Sequence, residues 1–163
     1  MFEVRPLAGA LGAEIHGIDL CRDLDNEEFA AIRALLLEHE VVFFRDQDVT
    51  PAQQKALALS FGALQTHPAY ATVEGFPEIT ILESTPDKPT KIEAWHTDMT
   101  FREHPPMGTV LKSVVVPPKG GDTLWSSMTA AYNGLSPQMQ QFLQGRTAVH
   151  EFAHGFRESL AEP

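Results

Sequence analysis

His96 and Asp98 stand either side of one threonine in the stretch Trp95-His96-Thr97-Asp98-Met99-Thr100-Phe101. Side chains alternate along an extended backbone, so a strand here would put His96 and Asp98 on one face and Trp95 and Thr97 on the other. An imidazole and a carboxylate converging in this way are two of the three donors of a 2-His-1-carboxylate facial triad. Such a triad leaves open positions on non-haem Fe(II) for oxygen and a co-substrate. Alone, the H-x-D pattern is weak, because most such pairs are surface polar residues. A metal-dependent hydrolase could use the same pair, so the meaning of the two residues depends on what accompanies them.

The chain that must position them has 163 residues, 43% of them hydrophobic, enough for one buried core and a single domain over residues 1–163. Its net charge of −10 comes from 22 acidic and 12 basic residues without a basic cluster. That balance argues against nucleic acid and anionic membrane surfaces as partners. The first residues, Met1-Phe2-Glu3-Val4-Arg5-Pro6, carry no apolar signal core, and no run reaches transmembrane length. Cys21 is the one cysteine, which excludes a disulfide scaffold and a thiolate zinc site. A soluble cytoplasmic protein is the expectation.

The elements follow from pattern. Phe2 to Pro6 and Ala13 to Asp19 read as strands joined by a glycine-punctuated connection. His16, in the second strand, reads as an ordinary half-buried polar residue. Asp25 with Glu28 forms a capping box, and Phe29, Ile32, Leu35 and Leu36 recur at helical spacing, which predicts a helix from Asn26 to His39. Val41 to Phe44 is all apolar and predicts a buried strand. Thr50-Pro51-Ala52-Gln53 starts a second helix that Gly62 ends. His67 and Tyr70 fall on a stretch without periodicity. A histidine and a tyrosine in such a place are more often surface residues, although loops on a rigid scaffold also carry binding residues disproportionately.

Ile79 to Leu82 predicts a strand, and Glu83 to Lys91 a polar loop placed where a lid, or any surface loop, would sit. Met107 to Val116 and Asp122 to Trp125 read as a hairpin about Lys119-Gly120-Gly121. Short helices are predicted near Thr129 to Asn133 and from Ser136-Pro137 to about Gly145, then a strand over Thr147 to Phe152. The order of elements predicts an α+β fold.

Five stretches in this order resemble the taurine/α-ketoglutarate-dependent dioxygenase (TauD/TfdA) family. They are Val41-Val42-Phe43-Phe44-Arg45-Asp46-Gln47, Phe61-Gly62, His67-Pro68, Trp95 to Phe101, and Gly120-Gly121-Asp122-Thr123-Leu124-Trp125. The resemblance implies a double-stranded β-helix, a jelly-roll and cupin relative, of which this chain would supply an incomplete part. It implies an oxidoreductase using Fe(II) and O2 with 2-oxoglutarate as co-substrate. His96 and Asp98 would be metal ligands and catalytic residues, and Thr123 would bond the co-substrate carboxylate. His67, Tyr70 and Phe156 would contact a small anionic substrate, a sulfonate or alkyl sulfate, that is released as aldehyde with sulfite or sulfate. An asparagine of the taurine enzyme is replaced here by Ile92, which implies a more apolar substrate than taurine.

The family's second histidine ligand and its 2-oxoglutarate-clamping arginine have no matching motif here. His104, His150 and His154 do not match the ligand, nor do Arg102, Arg146 and Arg157 match the clamp. The chain is therefore expected to be a C-terminally truncated portion of such a domain, with low activity by itself. The competing expectation is a non-catalytic remnant that binds metal weakly or is completed by a partner chain. The hydrolase reading loses ground to Thr123 and its glycine turn. A homo-oligomer is compatible with the sequence.

Overall fold

The structure, a computed structural model, describes residues 2–67, 70–89 and 94–152. The chain forms two compact units, one of Met1–Gln53 with Leu111–Arg146 and the other of Gln54–Val110 with Thr147–Pro163. The described residues make a mixed α+β arrangement of short elements.

In the first unit, β1 (Glu3–Pro6) pairs antiparallel with β2 (Ala13–His16), and β2 pairs parallel with β3 (Val42–Phe43), giving the order β1-β2-β3. Strand β2 shows the alternation its sequence predicts. Ala13 and Ile15 are buried, while Glu14 and His16 are half-buried on the other face. There Glu14 is paired with Arg45 and lies 3.2 Å from His16. The Arg45 guanidinium, with His16 adding to it, holds the Glu14 carboxyl below its ordinary range against the opposing effect of burial.

Helix α1 (Asn26–His39) has the predicted bounds, and its capping box is complete: the Glu28 N–H donates to Asp25 Oδ1 at 2.8 Å, and the Asp25 N–H donates back to the Glu28 carboxylate at 3.2 Å. Its inward face is the predicted one. Ile32 is buried to 1% exposure and joins Ala13, Ile15, Ile18, Leu20 and Val49 as the core, with Phe29, Leu35 and Leu36 half-buried. Gln47 staples the loop after β2, accepting from the Leu20 N–H at 2.7 Å and donating to the Ile18 carbonyl at 3.2 Å. Ser127 is buried, caps α3 (Met128–Asn133) by accepting from the Ala130 N–H, and donates to Glu40 at 2.8 Å. Helix α4 (Pro137–Leu143) starts behind the Ser136 cap as predicted.

Several strand expectations need correction. The run from Val41 to Phe44 yields only a two-residue strand and is half-buried, not fully buried, because β3 meets β2 at just two positions. Residues 107–116, 122–125 and 147–151 form no strand in the described structure. Their β-propensity is real, but a strand exists only where a neighbour accepts its ladder of N–H and C=O groups. No described segment is in register with them. Val115 is 89% exposed as a result.

The second unit contains most of α2 (Pro51–Phe61), whose Thr50/Gln53 start is formed as predicted, since Gln53 accepts from the Thr50 N–H at 2.7 Å. It also holds a hairpin of β4 (Thr72–Val73) and β5 (Phe76–Thr80). The strand expected at Ile79 to Leu82 thus lies earlier, because the two-residue turn at Glu74-Gly75 sets its register. Gly75 has φ +79, a conformation that glycine takes without steric cost. Lys55 of α2 pairs with Glu78 of β5 and lies over the Phe76 ring. No helix among the described residues is long and apolar enough to cross a membrane.

Candidate metal centre

The stretch bearing His96 and Asp98 is not the strand expected. Residues 95–97 form no strand, and a turn begins at Asp98, with Met99 at φ +57 and the Arg102 N–H donating to the Met99 carbonyl at 3.0 Å. The two side chains nevertheless converge. His96 Nε2 lies 3.1 Å from Asp98 Oδ1, with both groups open to solvent. His96 Nδ1 lies 2.8 Å from the Ala94 carbonyl oxygen. That oxygen can only accept, so Nδ1 carries the hydrogen and Nε2 faces the carboxylate. A second hydrogen bond of this kind is what orients a metal-binding imidazole.

The donor set fits a transition-metal ion. Two donors each about 2.1 Å from a metal and at right angles stand about 3.0 Å apart, close to the separation found here. Imidazole with carboxylate is also the ligand chemistry of non-haem iron. Among the described residues, no third His, Cys, Asp or Glu completes a group able to hold a metal.

Three segments of the same unit meet around this pair. The His67 ring lies 4.6 Å from the Tyr70 ring and 6.1 Å from Phe152, and Phe152 lies 4.8 Å from Phe101. His150 Nδ1 lies 2.9 Å from the Thr100 hydroxyl, and Gln65 donates to the His104 carbonyl at 3.1 Å. Arg102 places its guanidinium 5.8 Å from the Phe101 ring centroid and donates weakly to the Thr66 carbonyl at 3.4 Å. Burial pushes the His67 imidazole below its ordinary value; Asp98 opposes this and Arg102 adds to it. Burial, aided by Asp98, raises the Tyr70 phenol. His67 is therefore a neutral imidazole at neutral pH and Tyr70 a protonated phenol, each able to donate one hydrogen bond.

The second unit thus brings together four of the residues singled out in the sequence: His67, Tyr70, His96 and Asp98. Thr123 belongs to the first unit, where it is exposed on a segment that forms no strand, unlike the expected hairpin. Among the described residues its hydroxyl has no hydrogen-bond partner, so it is able to donate to a carboxylate. Phe156 and Ile92 lie outside the described residues, as do His154 and Arg157. Sequence reasoning missed Phe152 and Arg102. Phe152 sits four residues before the aromatic that was singled out, and Arg102 directly follows the recognised stretch, but nothing in their spacing distinguished them.

The chain belongs to the taurine catabolism dioxygenase TauD, TfdA family, whose profile matches residues 3–163. It is 38% identical over 149 residues to the alpha-ketoglutarate-dependent sulfate ester dioxygenase of Pseudomonas putida, an alignment covering 91% of this chain and 49% of that protein. It is 36% identical over 164 residues to the alkylsulfatase of Acinetobacter baylyi, covering 99% of this chain and 51% of that one. Its structure is similar to that of a taurine dioxygenase from Burkholderia xenovorans, with a TM-score of 0.77 and 41% identity over 88% of this chain and 51% of the other. The chain spans about half the length of the curated relatives it matches.

Proposed function

We propose that this chain carries the imidazole–carboxylate half of the metal centre of an Fe(II)/2-oxoglutarate-dependent dioxygenase acting on an alkyl sulfate or sulfonate. The observation that carries this reading is the 3.1 Å approach of His96 Nε2 to Asp98 Oδ1 in a member of the TauD, TfdA family. On this reading residues 1–163 are part of one such domain, of the double-stranded β-helix kind.

His96 and Asp98 would hold the metal, with the Ala94 carbonyl fixing the imidazole tautomer. The Thr123 hydroxyl donates to a carboxylate of 2-oxoglutarate. His67 and Tyr70 donate to the anionic head of the substrate from a half-buried position, where each hydrogen bond to a charged oxygen is stronger than in water. The metal with 2-oxoglutarate and O2 supplies, when bound, the oxidising power to hydroxylate an unactivated carbon. Sulfate esters and sulfonates are favoured because the relatives named above include a sulfate ester dioxygenase and an alkylsulfatase.

The reading is tested by anaerobic addition of Fe(II) and then 2-oxoglutarate to the purified chain. The expected result is a saturable visible charge-transfer band that needs both additions. If Fe(II) binds and 2-oxoglutarate produces no such band, the chain does not assemble this centre and the reading fails.

A further inference from the structure

Arg102, in the second unit, is only lightly engaged by its described partners. Its side chain is exposed and lies over the Phe101 ring, and its hydrogen bond to the Thr66 carbonyl, at 3.4 Å, is weak. The rest of the guanidinium fork has no acceptor among the described residues. Arg102 is four residues from Asp98 and close enough to His67 to influence its charge. Next to it, the rings of Phe101, Phe152 and His67 follow one another at 4.8 and 6.1 Å.

A planar cation beside a row of rings, on the segment that carries a metal-ligand candidate, recognises a particular kind of molecule. The guanidinium binds an oxyanion through paired donors. The ring faces accept an apolar tail. A second positive charge on the ligand would be drawn to the same rings that Arg102 already covers and would be repelled by it.

We infer that Arg102 is a specificity-determining residue that, with Phe101 and Phe152, selects an anion bearing an apolar tail over one bearing an ammonium group. This rests on the reading of the second unit as the substrate side of the metal centre. It goes beyond that reading by separating alkyl sulfates from aminosulfonates.

The test uses the full chain, hexyl sulfate and taurine as probes, and the ring-proton NMR signals of Tyr70, Phe101 and Phe152. Hexyl sulfate is expected to shift these signals and to bind at least about tenfold more tightly than taurine, the size of one charge-assisted contact. Arg102→Gln should bring the two affinities to within about twofold of each other by weakening hexyl sulfate, and Arg102→Lys, which keeps the charge but loses the paired donors, should keep part of the preference. An unchanged preference in Arg102→Gln overturns the inference while leaving the substrate reading intact. Equal loss in Arg102→Gln and Arg102→Lys also overturns it, since Arg102 would then only clasp the Thr66 loop. If hexyl sulfate shifts none of these rings in the native chain, the substrate reading itself fails.

Discussion

Replacing His96 by alanine lowers the affinity of the chain for Mn(II), used as a redox-stable substitute for Fe(II), by about 100-fold or more. Losing only an outer partner of a metal ligand already costs about 10–100-fold, and here one of two converging donors is removed outright. Asp98→Asn preserves shape but removes the charge that balances the cation, and it should fall in the same range. The amount of free Mn(II) in solution, read from its EPR signal, measures both variants. Both side chains are exposed, so neither substitution should change folding stability by more than about 0.5 kcal/mol. A His96→Ala chain that binds Mn(II) like the native one would remove the imidazole from the centre.

Ile32→Ala destabilises the chain by about 2–5 kcal/mol, the cost of emptying a buried isoleucine site that the surroundings refill only in part. Ile32 is 1% exposed and faces the core from the middle of α1. Leu37, on the same helix, is 60% exposed, and Leu37→Ala should cost less than about 1 kcal/mol. A loss of several kcal/mol is a large part of the roughly 5–15 kcal/mol that holds a typical domain folded. Urea unfolding should therefore show a much lower midpoint for Ile32→Ala than for Leu37→Ala, with similar slopes. Equal midpoints would mean that α1 does not bury the face its sequence defines.

What the sequence made legible is what short-range chemistry decides. Asp25 and Glu28, Thr50 and Gln53, and Ser136 with Pro137 start helices through contacts three residues long, and each helix begins where those residues stand. The alternation of Ala13, Glu14, Ile15 and His16 placed one face of β2 in the core. Strands fared worse, because pairing is decided by a partner remote in the chain. Residues 107–116 carry the propensity and have no ladder partner among the described residues.

The candidate centre was legible in part for the same reason. His96 and Asp98 are so close in sequence that their side chains converge on a turn as they would have on a strand. The approach of Phe152 to Phe101 and His67 joins positions about 50 residues or more apart along the chain, which no local pattern encodes. The family resemblance, by contrast, was readable from the five ordered stretches, and the family profile bears it out.

The central claim is that the metal is held by His96 and Asp98, and it is tested most directly by mapping where Mn(II) sits on the native chain. Paramagnetic broadening of assigned NMR signals at low Mn(II) occupancy falls steeply with distance and needs no turnover. The account predicts that signals of residues 95–101, together with His67 and Tyr70, broaden first. Broadening centred on the exposed Asp46 and Asp48 carboxylates of the first unit, with residues 95–101 left sharp, would contradict it.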